Sequence, residues 1–239
     1  MSPAPVTRKS AAAAALVQRI LTLELAPGAD LDEARLSAEF DLSRTPMREV
    51  LRDLAGEGYV QLRENKGARV SEMGHTTLRD FFVAAPMIYG AVLQLAALHH
   101  TPAQMVELRH AQARFKDTLR GPNTAARAMA NDRFHAITGD MASNVYLRPS
   151  FQRLLIDHAR ISMTFYRPGD PDMAATVNTA SDQHDAIIAA IAAHDAAAAA
   201  QLAIDHWQLS RDQIENYVMP SGLDLPLGQL PQTAEQRTK

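Results

Sequence analysis

The fold is decided by residues 31–60, which read LDEARLSAEFDLSRTPMREVLRDLAGEGYV. Apolar residues in this stretch recur at the three- and four-residue steps of a helix that buries one face. The pattern predicts two short helices, over residues 32–40 and 45–57, joined by a tight turn. Their inward-facing positions form a small core made by Leu36, Phe40, Leu42, Met47, Val50, Leu51 and Leu54.

The residues on either side of this stretch add one helix and a hairpin. A helix is predicted before it, over residues 10–25, followed by a turn at Pro27-Gly28. After it the apolar pattern changes, and residues 59–70 predict a two-stranded hairpin with Gly67 able to take a positive φ at the tip. Three helices followed by a hairpin are the order of a winged helix-turn-helix, which we assign to residues 10–73.

The third predicted helix carries an arginine stripe. Arg44, Arg48 and Arg52 recur at steps of four and therefore share one helix face. Ser43 or Thr45 can cap this helix, which places the first two arginines at its N-terminal end. In helix-turn-helix docking that end reaches base edges in the major groove, where arginine to guanine is the commonest specific contact. The stripe therefore predicts sequence-specific contact with double-stranded DNA.

Any such contact must come from a local cluster, because the chain as a whole has a formal net charge of −3. On the hairpin, Lys66 and Arg69 would lie near phosphates. The alternative is an ordinary solvated helix face, in which the arginines pair with Glu49, Asp53 and Glu57.

The composition excludes several classes of protein. With no cysteine in the chain there is no disulfide framework, thiolate zinc site or cysteine nucleophile, and we expect a cytoplasmic protein. The apolar run Ala11 to Val17 is too short to span a membrane, so no membrane partner is expected. Arg8-Lys9 before that run resembles the start of a signal peptide, but the helical pattern continues without a cleavage site.

The rest of the chain predicts an all-α bundle over residues 74–218, with about six helical segments. Asp195 is a good N-cap for the last long helix. Residues 1–9 and the proline-containing tail, residues 219–239, are expected to be mobile. The fold class is therefore mainly α, with a small β-hairpin in the N-terminal domain.

Nine histidines in a chain without cysteine suggest a metal site. Asn131 and His135 are four residues apart and share a helix face, while His184 and His206 lie on the apolar faces of two adjacent helices. Buried imidazoles need partners, and a shared metal ion is one solution beside ordinary satisfied core histidines. The ordinary surface or core role is assigned to His75, His99, His100, His110, His158 and His194.

Residues 12–72 closely resemble the DNA-binding domain of GntR-family transcription regulators, on the strength of the 31–60 stretch and the preceding Pro27-Gly28 turn. The resemblance implies that Arg35, Arg44 and Arg48 contact DNA, that Ser43 and Thr45 contact phosphates, and that Gly67 forms the wing tip. It also implies a homodimer that binds a pseudo-palindromic operator, one module on each half-site.

Residues 76–217 resemble the FCD effector domain of the FadR-type GntR subfamily, in the stretches NDRFH (131–135), SDQH (181–184) and AIDH (203–206). That domain's metal site uses an Asp or Asn and three His, which implies Asn131, His135, His184 and His206 as ligands. Imidazole ligands favour Zn²⁺ or Ni²⁺ as the divalent ion.

The first bundle helix departs from the family pattern, which has an Arg and a Glu four residues apart near Ala85 and Tyr89. A contact for the acid group of an effector is therefore missing from its usual place. The replacement candidates, each equally interpretable as ordinary surface, are Tyr89, Arg153, Arg160 and Tyr166.

The sequence thus predicts a transcription regulator, with repression as the expected mode, that responds to a small effector through a metal-containing helical domain. A carboxylate effector follows from charge, because neutral histidines and Asn131 leave a divalent ion near +2 in an apolar bundle. The alternative from another class is a metal-dependent hydrolase, although no HExxH helix or inward carboxylate base accompanies the histidines. An architectural DNA binder does not account for the large second domain.

Overall fold

The computed structural model describes residues 7–64, 67–165 and 171–218. The predicted fold class is confirmed, because these residues are mostly helical with one small antiparallel sheet near the N-terminus. The first part contains α1 (Arg8–Leu21), β1 (Asp30–Leu31), α2 (Glu33–Glu39), α3 (Arg44–Glu57), β2 (Val60–Arg63) and β3 (Gly67–Val70). The second part contains α4 (His75–His99), α5 (Pro102–Thr118), α6 (Thr124–Ala142), α7 (Leu147–Phe165), α8 (Pro171–Ala192) and α9 (Ala196–Val218).

Helix α1 begins earlier and ends earlier than the sequence pattern predicts. The Thr7 hydroxyl caps it by accepting from the backbone N–H of Ser10, so Arg8 and Lys9 are helical rather than part of a mobile N-terminus. The helix ends at Leu21 because the chain turns into a left-handed conformation at Leu23, where φ is 59°. Residues 1–6 and the predicted mobile tail from 219 onward lie outside the described residues.

The wing is a three-stranded sheet in the order β1-β3-β2, one strand more than the predicted hairpin. The added strand pairs Asp30 with Arg69 and Leu31 with Ala68. Gly67 has a φ of 75°, and a Cβ there would lie 2.9 Å from the carbonyl oxygen of Leu31. Glycine is therefore required where β3 passes β1.

The two parts have separate cores. Leu16, Met47, Val50 and Leu51 are buried between α1, α3 and the sheet. In the second part, α4 packs along α9 and against α6, and its buried face contributes Phe81, Tyr89 and Leu93 to a larger core. Asp195 caps α9 as predicted, by accepting from the backbone N–H of Ala198.

Helix α4 is long and apolar enough to cross a membrane by length and composition alone. It contains no long uninterrupted apolar run, which is why the sequence pattern did not indicate it. Core helices of globular proteins pass the same test, and Ala85, Val92 and Ala96 of α4 lie in the core of the helical part. This helix is therefore weak evidence for a membrane protein.

Helix α7 joins the two parts. Ile156 and Ala159 on α7 form a small apolar cluster with Leu21 of α1, and Tyr59 and Met129 pack against it. The helical domain thus rests directly on the DNA-binding module rather than being attached by the connecting residues alone.

Candidate nucleic-acid interface and metal centre

The N-terminal end of α3 faces an open depression of about 850 Å³ between α2, α3 and the wing. Arg44, Arg48 and Arg52 line one side of it, and Arg63 and Gly67 of the wing line another. Ser43 occupies the N-cap position but makes no side-chain cap hydrogen bond, while Thr45 is exposed in the first turn. Arg35 is exposed on α2, and Lys66 lies outside the described residues.

The ion pairs around α3 differ from those expected if its arginines paired with the acidic residues of the same helix. Glu49 and Asp53 both pair with Lys9 of α1, at 3.1 and 3.3 Å, instead of with the arginines of their own helix. Arg48 is held by Glu33 of α2, with Nε 2.8 Å from the carboxylate oxygen. On the wing, Arg69 makes a bidentate contact with Asp30, the residue opposite it where β1 pairs with β3.

Three histidines meet in the helical part. His135 of α6, His184 of α8 and His206 of α9 are buried, and each offers one nitrogen within 4.8 Å of those of the other two. Asn131, one turn before His135, is also buried. Three atoms here have no hydrogen-bond partner among the described residues: Oδ1 of Asn131 and Nε2 of His135 and His184. Unpartnered buried polar atoms are costly, and a divalent ion would satisfy atoms of this kind.

Burial also sets the protonation state that metal binding requires. It lowers the pKa of His135 and His184 well below the ordinary value of 6.5, with the neighbouring imidazoles adding to the effect. The pKa of His206 falls to about 3, mainly through burial. All three rings are therefore neutral at pH 7, the form in which imidazole binds a metal.

Two families of known proteins match this chain, one in each part of the structure. The family of bacterial regulatory proteins called gntR matches residues 8–70, and the FCD domain matches residues 81–209. The chain belongs to the GntR family and carries an FCD domain.

Individual relatives of this GntR-family chain are regulators. It is 25% identical over 186 residues to the HTH-type transcriptional repressor RspR of Escherichia coli, covering 77% of this chain and 78% of that protein. It is 31% identical over 83 residues to the Nta operon transcriptional regulator of Aminobacter aminovorans, covering 35% and 40%. The fold is that of E. coli McbR/YncC, with a TM-score of 0.73 at 17% identity over 89% of this chain and all of that one. The protein is thus a transcription regulator, and these relatives give no support to the hydrolase alternative.

His158, for which the sequence predicted an ordinary surface or core role, lies beside the histidine cluster of this GntR-family chain. His158 of α7 has its ring centroid 5.0 Å from that of His135, and its Nδ1 lies 2.9 Å from the Tyr89 hydroxyl. Tyr89, an effector candidate, is therefore buried next to the histidines. His158 shares a helical stripe with Phe151 and Leu154, and that spacing could have indicated its inward position.

Two other effector candidates face the DNA-binding module instead. Arg160 is fully buried and donates to Asp157 at 3.0 Å and to the backbone carbonyl of Ser71. Arg153 also pairs with Asp157. It lies so close to Gly58 that a Cβ added to that glycine would be 2.6 Å from the Cδ atom of Arg153. Their partners lie between the domains, so the effector interpretation is corrected for both. Tyr166 lies outside the described residues.

Proposed function

We propose that the protein is a FadR-type repressor that binds a pseudo-palindromic operator as a homodimer and releases it in response to a small carboxylate. The carboxylate binds at a divalent ion held by Asn131, His135, His184 and His206. The observation that carries the proposal is the convergence of three buried, neutral imidazoles with unpartnered polar atoms. A buried set of this kind would be costly without an ion to fill it.

The effector class follows from charge at this site. Among the described residues, the atoms that could ligate the ion are imidazole nitrogens and the Asn131 amide oxygen, and neither type carries charge at pH 7. A bound Zn²⁺ or Ni²⁺ would supply open positions with nearly its full charge, which favours an anionic oxygen ligand. A small carboxylate fits that requirement, with water or hydroxide as the competing occupant.

The surface of α4 supports a homodimer. Val83, Met87 and Leu98 are large apolar residues that are each more than half exposed, and all three lie on this helix. Val83 and Met87 lie one helical turn apart, and exposed apolar neighbours of this kind favour burial against another protein. A second copy of the chain also supplies the second DNA-binding module that a pseudo-palindromic operator requires.

Helix α7 offers a physical connection between effector and DNA. On one side His158 contacts Tyr89 beside the histidine cluster, and on the other Arg160 donates to Ser71 at the end of the wing. An effector shifts the position of the DNA-binding modules only through its affinity difference between the two arrangements. We place that difference at α7, because this helix touches both sites.

The DNA assignment predicts that Arg48→Ala weakens specific operator binding by about 1–3 kcal/mol per half-site. The fold should remain intact, since Arg48 is exposed and loses only a surface ion pair with Glu33. The measurement is a gel-shift titration on a genomic operator, with helical content checked by circular dichroism. Arg109→Ala, which removes the same charge from an exposed position in the helical domain, is the matched control. Equal affinity of the two variants would exclude Arg48 as a specificity contact.

The metal assignment predicts about one divalent ion per chain in the wild type and little in His184→Ala. Chelation should lower the Tm, because a ligand bound only by the native state stabilises it. Elemental analysis of the two proteins and of His110→Ala, an exposed histidine in the same domain, measures this directly. If His184→Ala retains as much metal as the control, the ion is held elsewhere.

The effector assignment predicts that a small carboxylate raises the Tm of the metal-loaded protein and not that of the chelated protein. A thermal-shift screen of metabolic carboxylates on both forms tests this, followed by gel shifts with each hit. A hit that stabilises both forms equally, or that leaves operator affinity unchanged, would place the effector site away from the metal.

A further inference from the structure

Each of two cluster histidines is held on its outer edge by a glutamine from a neighbouring position in the bundle. Oε1 of Gln112, on α5, lies 3.0 Å from Nδ1 of His184. Oε1 of Gln183, on α8, lies 2.9 Å from Nδ1 of His206. The two contacts connect residues that are 72 and 23 positions apart in the chain, so they link α5, α8 and α9 around the cluster.

The surroundings of Gln112 determine which end of its amide faces the histidine. Its other end lies 2.8 Å from the backbone carbonyl oxygen of Ser181 and 3.1 Å from a carboxylate oxygen of Asp185. Both of those oxygens accept hydrogen bonds, so the amide NH₂ must face them. The amide oxygen is left for His184, which must then carry its proton on Nδ1.

The plane of the His184 ring is fixed as well. Phe134 stacks on it with ring centroids 3.8 Å apart and an interplanar angle of 14°, and the Phe115 ring lies 5.0 Å away. A ring with its plane set by stacking and its edge set by a hydrogen bond has one orientation. In that orientation its Nε2 is buried and has no partner among the residues described.

We infer that Gln112 and Gln183 are positioning residues that hold His184 and His206 as their Nδ1–H tautomers, leaving each Nε2 lone pair available to an ion. The functional role of these tautomers rests on the proposed metal centre, but the tautomers themselves are expected in the metal-free protein as well. Partners on the far nitrogen of a metal-binding histidine fix its tautomer, and losing one typically lowers metal affinity about 10- to 100-fold.

The tautomers can be read from long-range ¹H–¹⁵N spectra of chelated protein labelled with ring-¹⁵N histidine, with signals assigned from His184→Ala and His206→Ala. The wild type should show both rings protonated at Nδ1. Gln112→Met, which keeps the length of the side chain but not the acceptor, should change the tautomer of His184 only. Gln183→Met should change that of His206 only.

Lys116→Met is the matched control. Lys116 lies one turn beyond Gln112 on α5 and binds the other carboxylate oxygen of Asp185, at 2.6 Å, without touching His184. Neither tautomer should change in this variant. Zn²⁺ titration against a competing chelator should then show affinity about 10- to 100-fold lower in Gln112→Met and unchanged in Lys116→Met.

The outcomes separate the two proposals. A wild-type His184 protonated at Nε2, or one that is unaffected by Gln112→Met, overturns the positioning role, and the wild-type spectrum alone decides this if the variant fails to fold. Nδ1–H tautomers in a protein that takes up no Zn²⁺ would instead contradict the metal centre and leave the role of the glutamines standing.

Discussion

Acidifying the metal-free protein from pH 7 to about pH 5 is expected to unfold the helical domain. Four buried histidines are neutral in the folded protein: burial lowers the pKa of His158 to about 4 and that of His206 to about 3, and the pKa of His135 and His184 also lies well below 6.5. In the unfolded chain each regains a pKa near 6.5 and binds a proton as the pH falls below it.

The direction of the pH dependence of stability follows from this difference between the folded and unfolded pKa values. Between the folded and unfolded pKa values the unfolded chain binds more protons, so stability is fully present above about pH 6.5 and is lost as the pH falls. At about 1.4 kcal/mol per pH unit for each group, His158 and His206 each remove about 2 kcal/mol by pH 5, and His135 and His184 act in the same direction. Together these losses are comparable to the lower part of the 5–15 kcal/mol that stabilises a typical domain.

Buried carboxylates act in the opposite direction. Burial raises the pKa of Asp132 to about 7, and the pKa of Asp157 is raised too, by burial that outweighs its two arginines. The folded state binds protons at these groups first, so Asp132 offsets about one of the four histidines over the same interval. The net effect remains destabilising.

Circular dichroism at 222 nm against pH, in the presence of a chelator, measures the transition. His158→Phe should shift the midpoint downward and reduce the steepness by about one proton, while His110→Ala should leave both unchanged. Zn²⁺ should protect the protein, because protons must displace the ion before the rings can charge. A chelated wild type that stays folded at pH 5 would show that the histidines are hydrated or already charged.

The local features of the DNA-binding module could be predicted from the sequence because they depend on short-range patterns. The helices of residues 31–60 follow from apolar spacing, and α2 and α3 appear within one residue of the predicted starts. Strand β1 could not be predicted, because two residues carry no alternation and Asp30-Leu31 become a strand only by pairing with β3. The early end of α1 likewise depends on the turn at Leu23.

The histidine cluster shows the same division. His184 and His206 could be grouped because each lies on an apolar helical stripe, and His135 joined them through its spacing from Asn131 and the resemblance to a known domain. The glutamines that orient them, and His158 beside them, are set by contacts between helices. The burial of Arg160 could not be predicted from the sequence, because an arginine is ordinarily expected at the surface. Its contact with Ser71 depends on how the two domains pack against each other.

Arg160→Met is expected to destabilise the protein by about 3–5 kcal/mol, the usual result of removing one partner from a buried ion pair. Arg160 is completely buried and Asp157 nearly so, and the variant leaves the carboxylate with Arg153 alone. It also leaves the Ser71 carbonyl without the Arg160 donor. Urea denaturation measures the loss, and Arg153→Met, at a partly exposed position, should cost less.

The double variant Asp157→Leu/Arg160→Met distinguishes the loss of a charge partner for Asp157 from the loss of the Arg160 contact with Ser71. If the cost of Arg160→Met comes mainly from a buried Asp157 carboxylate left with only Arg153, replacing that carboxylate as well should recover much of the stability, because apolar replacements of buried ion pairs are often close to neutral. If the double variant is no more stable than the single one, the arginine acts through its contact with Ser71. In that case its role is to hold α7 against the wing rather than to neutralise Asp157.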